Sequence, residues 1–135
     1  MDFQTIHQRI SQLIYLVIFA VFLTSCSSDD RVDSIKQGQI LFNQKHIGKN
    51  KVIGCVACHS IKPGQKIIGP SLAGLSLRAP YLIPGKTAED YIRESILNPD
   101  AYIVAGFLPA IMFPHYAQEL RPEEIDNLVA YLSHL

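Results

Sequence analysis

Residues 54–59 read Gly54-Cys55-Val56-Ala57-Cys58-His59, and the rest of the chain is organised around this stretch. The two cysteines are three residues apart and the histidine follows at once, so on a helical turn their side chains project from one face. Two thiols can then bond to the edge of one flat macrocycle while the imidazole turns towards its metal. C-x-x-C-H is the attachment signal for c-type haem. The motif therefore predicts one covalently bound haem c.

Three other interpretations of these residues compete with haem attachment. A structural zinc site needs four ligands, usually from two separated pairs, and the sequence offers no second Cys or His pair. A thioredoxin-like redox pair belongs on a βαβ framework, which the pattern of the chain does not predict. The third interpretation is that the two cysteines are coincidental. An export signal and a thin core, described next, favour haem over all three.

The N-terminus has the features of an export signal. Residues 13–23 are eleven apolar residues without a break, whereas a membrane-spanning helix needs roughly 20, so the run fits a signal peptide better. The residues Leu23-Thr24-Ser25-Cys26 resemble the lipobox of bacterial lipoproteins, which implies cleavage before Cys26 and acylation of that cysteine. Acyl chains anchor a terminus because each buried methylene contributes about 0.8 kcal/mol. The alternative is an uncleaved anchor extended back through Ile10, with Cys26 incidental.

These features divide the chain into three parts. They are a lipoprotein signal peptide at 1–25, the acylated Cys26 with a polar tether at 26–33, and a globular domain at 34–135. Either interpretation of the N-terminus places this domain across the membrane, where c-type haem is attached. We therefore expect a lipid-anchored protein on the periplasmic side of a bacterial membrane, inner or outer.

Hydrophobic periodicity and capping residues predict three helices in the globular part. They cover about Ser34 to Gln44, about Ala88 to Leu97, and Glu123 to His134. Asp33 is the expected N-cap of the first helix. Thr87 caps the second, with Asp90 completing a short capping box, and Pro122 suits the first position of the last.

Glycine inside the first predicted helix indicates close packing. Gly38 costs up to about 1 kcal/mol there, so we expect the last helix to pack against it, with apolar residues at core spacing. Those residues are Ile125, Leu128, Val129 and Leu132. Between the helices the chain is rich in Gly and Pro and poor in strand pattern. Short helices and long loops make a thin core for residues 26–135, and a buried haem would complete it.

A sixth iron ligand must come from outside the motif. Once the signal peptide is removed, Met112 is the one methionine left in the sequence. It lies in the apolar segment 106–114, in which prolines restrict the backbone. A lone methionine more often fills a core, but this segment has neither helical nor strand periodicity. Met112 is therefore the candidate, with His115 as its chief competitor and His46 and His134 as further alternatives.

Taken together, these residues resemble a known family, the small class I monohaem cytochromes c. The matching pieces lie within 34–135 and are, in order, Gly38 to Phe42, Cys55 to His59, Gly69 to Gly74, the segment around Met112, and Pro122 to Leu132. The chain is most similar to cytochrome c domains fused to, or serving, haem–copper oxidases, in which Tyr91 to Pro99 also has a counterpart. The resemblance implies an all-α fold with three to four short helices and long loops wrapped around one covalent haem.

The resemblance also implies roles for single residues. It assigns thioether attachment to Cys55 and Cys58, and it assigns axial ligation of the iron to His59 and Met112. The carbonyl of Pro70 would accept a hydrogen bond from the His59 ring, which orients the ring and raises its basicity. Arg78 falls where the family often has a residue near a haem propionate.

Two features depart from the family pattern. Proline usually follows the ligand methionine directly, whereas here Phe113 intervenes before Pro114. Twelve residues, 43–54, precede the first haem cysteine, where the family has only a few. Their central part, Lys45 to Lys51, is a basic insertion, which we expect to bear on the choice of partner.

Formal charge balance, with 12 basic and 12 acidic residues, conceals an asymmetry. From Lys45 to Lys86 there are seven bases and no acid, and from Thr87 to the end there are eight acids and two bases. A basic surface around an exposed haem edge would speed docking to an acidic patch on a redox partner. The alternative is an ordinary solvated lysine surface. The neutral total and the export signal argue against nucleic acid as a partner.

The resemblance implies electron transfer. A His/Met-ligated haem leaves no open iron position, and the thioether ligand favours the reduced state. We expect a membrane-anchored carrier of single electrons from a quinol-oxidising complex to a terminal oxidase or reductase, either as a shuttle or as a haem subunit within one respiratory complex. No catalytic group and no small-molecule substrate are expected, so the protein is not an enzyme by itself. The alternative is a haem-based gas or ligand sensor, which needs a vacant or weakly held sixth position.

Overall fold

The structure, a computed structural model, describes residues 28–135, so the predicted signal peptide and Cys26 lie outside the described residues. Residues Arg31–Leu135 form one compact unit. The elements within 28–135 are α1 Ser28–Phe42, β1 His46–Ile47, β2 Val52–Ile53, a 3₁₀ turn Cys55–Ala57, α2 Leu75–Arg78, a 3₁₀ turn Ala79–Tyr81, α3 Ala88–Leu97, α4 Tyr116–Glu119 and α5 Pro122–Leu132. The all-α class is confirmed, with five α-helices in this range instead of three to four. None of the helices in this range is long and apolar enough to span a membrane.

Helix α3 begins and ends where the sequence predicted. The Thr87 hydroxyl accepts a hydrogen bond from the Asp90 N–H at 3.1 Å, and the Asp90 carboxylate accepts one from the Thr87 N–H at 3.4 Å. This reciprocal pair is the predicted capping box, which satisfies two backbone donors that the helix itself leaves free.

Helix α5 begins at Pro122, one residue before the predicted Glu123 and with the proline at its first position as expected, and it ends at Leu132, two residues before the expected His134. Two glutamates in its first turn complement the positive end of the helix. Its buried residues include the whole predicted set, Ile125, Leu128, Val129 and Leu132. The core face of this helix was therefore predicted correctly.

Helix α1 begins earlier than the sequence predicted. Its first residue is Ser28 instead of Ser34, and Asp33 lies inside it, so the assignment of Asp33 as N-cap is wrong. Asp29 and Asp30 occupy the first turn, where negative charge is favoured by the helix dipole. Residues 28–33 lack an apolar face, and for that reason the sequence pattern indicated a polar tether there.

Close packing of α1 on α5 at Gly38 is confirmed. A Cβ placed on Gly38 would lie 2.7 Å from the Tyr131 Cβ and would overlap the backbone carbonyl of Asn127. The buried rings of Phe42 and Tyr131 meet beside this crossing, with centroids 5.6 Å apart and planes tilted by 54°. The absence of a side chain at Gly38 thus lets the two backbones approach.

The insertion forms a β-hairpin, which the sequence pattern did not predict. His46 pairs with Ile53 and Ile47 with Val52 in an antiparallel ladder, closed by a four-residue turn from Gly48 to Lys51. Ile47 is only 2% exposed, so the hairpin belongs to the core and is not a loose basic loop. Strands of two residues are too short to show a period-2 pattern, which explains why the element was missed.

Candidate haem-binding site

The C-x-x-C-H stretch forms the expected tight turn. The N–H groups of Cys58 and His59 both donate to the Cys55 carbonyl, at 3.1 and 2.9 Å. The two cysteine side chains are of intermediate burial and are not joined in a disulfide. Gly54, just before the turn, donates its N–H to the Lys45 carbonyl at 2.8 Å, so the base of the hairpin is joined directly to the motif.

A cavity of about 540 Å³ lies at the centre of the fold. This volume is within the range of about 300–1,000 Å³ that cofactor and ligand pockets occupy. Apolar side chains from α1, α3, α5 and the segment 99–114 supply most of its wall. Protein interiors have few voids larger than a water molecule, so a cavity of this size fits the expectation that a large apolar group completes the core.

All six residues expected at a haem line this one cavity: Cys55, Cys58, His59, Pro70, Arg78 and Met112. His59 and Met112 are 53 positions apart in the sequence, and the fold brings both to the same space. The structure does not place the competing histidines there. His115, His46 and His134 are exposed, and none of them lines the cavity.

The backbone of Gly69 and Pro70 orients the His59 ring. Nδ1 of His59 lies 2.9 Å from the Pro70 carbonyl, the contact that the family resemblance implies. Because a carbonyl only accepts, Nδ1 carries the proton and Nε2 keeps its lone pair for a metal. Burial is the main cause of a lowered pKa of His59, and the Pro70 hydrogen bond opposes it only partly. The ring is therefore neutral at physiological pH, as a metal ligand must be.

Gly69 leaves room for that ring. A Cβ at Gly69 would lie 2.5 Å from Cε1 and 2.8 Å from Nδ1 of His59, which is far inside van der Waals contact. The Gly69 N–H donates to the Cys58 carbonyl at 2.8 Å and so holds the two segments together. The imidazole thus packs flat against a glycine backbone beside the two thiols.

Arg78, at the end of α2, supports the segment that follows Pro70. Its guanidinium donates to the carbonyls of Ser71 and Ala73, while the side chain also borders the cavity. This arrangement gives Arg78 a structural task that the sequence did not reveal. Contact with a haem propionate stays a prediction.

Met112 is half-buried and packs against the core. Its loop is held on the N-terminal side by the Asp100 carboxylate, which accepts a hydrogen bond from the Ala110 N–H at 2.8 Å. Phe113, the residue that interrupts the family pattern, packs its ring on the Tyr116 ring with centroids 5.1 Å apart. Axial ligation by Met112 remains a prediction, but the geometry favours this residue over the histidines.

Tyr116 is a site residue that sequence reasoning missed. It is 4% exposed, lines the cavity, and donates its hydroxyl to the Ile53 carbonyl at 2.9 Å. Burial raises the pKa of Tyr116, as it does the pKa of Cys55, which reaches about 11. The contact spans 63 positions in the sequence, so no local signal could have found it.

Comparison with known proteins identifies the family of this chain. A family model described as Cytochrome c matches residues 35–135, about three quarters of the chain. The chain therefore belongs to the cytochrome c family, and its mostly helical structure is the small cytochrome c fold. No curated protein matches the sequence at a significant level.

As a member of the cytochrome c family, the chain is an electron-transfer haem protein and not a catalytic enzyme by itself. The cavity fits the covalent haem c of that family, since its wall is mostly apolar and two thiols and one neutral imidazole share it. Among residues 28–135 no group of three or more His, Cys, Asp or Glu side chains could hold a metal ion, so the zinc interpretation loses its basis. The thioredoxin-like interpretation loses its basis because the same residues contain a single two-stranded ladder and no βαβ unit.

Proposed function

We propose that this protein is a membrane-anchored monohaem cytochrome that carries single electrons between respiratory complexes, or as a haem subunit within one. Its donor would be a quinol-oxidising complex and its acceptor a terminal oxidase or reductase. One observation carries the proposal: Cys55, Cys58, His59 and Met112 share the wall of a single apolar cavity. When bound there, the haem would supply a one-electron Fe(II)/Fe(III) couple of high potential.

Cysteine, histidine and methionine side chains would each contribute one bond or contact that holds the haem. The two thiols would become thioethers, which prevent dissociation. The Pro70 carbonyl keeps the His59 ring in the required tautomer and orientation. Met112 would close the sixth position, so that no vacant site remains for substrate. The apolar wall excludes water, which favours the less charged reduced state.

Exposed apolar side chains at the cavity rim support docking of a partner there. Ile53, Ile68, Leu108 and Ile111 line the cavity and are also exposed. Lys66 lies beside the rim, with its ammonium 5.6 Å from the centroid of the Phe107 ring. Protein interfaces commonly have an apolar core and a polar rim, and complementary charge at the rim speeds association. The proposed partner therefore presents an acidic patch around a small apolar centre.

Membrane anchoring is proposed from Cys26 and the lipobox resemblance. Acylation of Cys26 would hold the domain at the periplasmic face of a bacterial membrane. Only Ser27 separates Cys26 from the first residue of α1, so the anchor would be followed almost directly by a helix.

Optical spectroscopy of the oxidised protein tests the proposed ligation. Methionine bound to ferric haem gives a weak far-red band, which we expect in the wild type, in His115→Ala and not in Met112→Ala. The His115→Ala variant is the matched control because it removes the competing ligand next to the same loop. A wild type that lacks the band and readily binds carbon monoxide when reduced would instead support the sensor alternative.

A further inference from the structure

We propose that the hairpin of residues 46–53 is a clamp that holds helix α4, and through α4 the Met112 loop, over the cavity. The central contact of this clamp is the pair of hydrogen bonds from Asn50 to the Glu119 carboxylate. The inference rests on the proposed function, in which Met112 is the sixth ligand. It gives the insertion, the part of the chain least like the family pattern, a positioning role at the haem.

Three hydrogen bonds from the hairpin turn converge on one residue of α4. The Lys49 N–H donates to the Glu119 carbonyl at 3.2 Å. Asn50 donates twice to the Glu119 carboxylate, through its backbone N–H at 2.9 Å and its side-chain amide at 2.7 Å. Hydrogen bonds to an ionised carboxylate are stronger than those between neutral groups.

The turn is shaped for this contact. Gly48 has a φ of +76°, in the left-handed region that favours glycine. A Cβ at this position would also lie 2.8 Å from the Glu119 Cβ. Both its backbone conformation and its lack of a side chain are therefore needed for the turn to reach α4.

A second contact fastens the base of the hairpin to the same helix. Tyr116 and Glu119 are three residues apart and so lie on one face of α4. Tyr116 binds the Ile53 carbonyl through its hydroxyl, 2.9 Å away. Helix α4 has only four residues, and so short a helix has little stability of its own. Its position therefore depends on its neighbours, which include helix α3 and the hairpin.

Helix α4 in turn sets the Met112 loop. Three residues join Met112 to α4, and the Phe113 ring packs on the Tyr116 ring. The tip of the loop makes little contact with the core, since Leu108 is 74% exposed and Ile111 is 54% exposed. Release of the clamp would loosen α4 and with it the C-terminal side of the loop, where packing of Met112 and Phe113 against the core would remain. A small competing ligand would then displace Met112 more easily.

Imidazole binding to the full-length oxidised protein tests the clamp, with loss of the far-red band as readout. Glu119→Ala removes the carboxylate and should raise the affinity for imidazole about tenfold, roughly the net effect of one charged hydrogen bond. Asn50→Ala keeps the backbone donor and should have a smaller effect in the same direction. The control is Glu123→Ala, which removes another exposed acid of the same charge and should stay within about twofold of wild type.

Backbone hydrogen exchange of residues 106–120 supplies a second readout that does not depend on ligation. Exchange should be faster in Glu119→Ala and Asn50→Ala than in Glu123→Ala. If both clamp variants match the control in imidazole affinity and in exchange, the clamp is refuted while the proposed function stands. If the wild type lacks the far-red band, the proposed ligation fails, and unchanged exchange in the clamp variants would then refute the clamp as well. Should Glu119→Ala fail to fold, Asn50→Ala decides the question.

Discussion

Replacing Gly69 by alanine should displace the His59 ring and destabilise the haem site. The new methyl group would lie 2.5 Å from Cε1 of the ring, whereas carbon atoms in contact are about 3.5–4.0 Å apart. The ring must therefore move by about 1 Å. The bond from Nδ1 to the Pro70 carbonyl, now 2.9 Å, would then exceed the length of a hydrogen bond.

Two costs add in this variant. Overpacking a filled site costs about 1–3 kcal/mol, and the lost hydrogen bond costs about 1 kcal/mol more. We expect the free energy of unfolding to fall by about 2–4 kcal/mol. For a domain of this size the melting temperature should drop by roughly 10 °C or more. Loss of the hydrogen bond should also raise the reduction potential, because a less basic imidazole stabilises the oxidised iron less.

Thermal unfolding of the haem-loaded protein, followed by circular dichroism, measures the first effect, and a potentiometric titration measures the second. Pro70→Ala is the matched control, since it changes the neighbouring residue but keeps the carbonyl that accepts from His59. It should cost only the unfolded-state entropy of proline, about 0.4–1 kcal/mol. If Gly69→Ala has the same melting temperature and the same reduction potential as the wild type, the packing of the His59 ring on the Gly69 backbone is refuted.

Three further predictions concern the rest of the chain. Gly38→Ala should lower the free energy of unfolding, measured by chemical denaturation, by about 1–3 kcal/mol. Alanine has the better helix propensity, but the Asn127 carbonyl that the new methyl group would overlap cannot move aside. The control, Lys36→Ala at an exposed position of the same helix, should be nearly neutral. Mass spectrometry of the protein extracted from membranes should show a chain that begins at an acylated Cys26, and a chain that still carries residues 1–25 would favour the uncleaved anchor. The hydrogen bonds from Asn50 hold the pKa of Glu119 below its ordinary value of 4.5. Their stabilising effect is therefore fully present above pH 4.5 and is lost as the pH falls through the lowered pKa. NMR shifts of the Asn50 amides should follow this titration.

Electron transfer to the native partner should slow as ionic strength rises. Complementary charge accelerates encounter, and salt screens it over a Debye length of about 8 Å at physiological strength. Stopped-flow rates at several salt concentrations measure the effect. If the rate does not depend on salt concentration, the lysines do not steer the partner and form an ordinary solvated surface.

Local signals in the sequence were sufficient for the motif and for two helices. C-x-x-C-H identifies its chemistry because attachment needs those three residues on one turn, and the turn needs no distant partner. The ends of α3 were predictable because Thr87 and Asp90 satisfy each other's backbone within one turn. Likewise, the buried face of α5 follows from apolar residues spaced at the helical period.

Contacts between distant segments determined the rest. The sequence named Met112 as a candidate ligand, but only the folded chain separates it from His115, by placing one in the cavity wall and the other outside. The hairpin, and the bonds from Asn50 to Glu119 across 69 positions, left no trace in the sequence pattern. The physical reason is that capping and periodicity act within a few residues, whereas a cavity and a clamp arise from backbone and side-chain groups that meet only after the chain has folded.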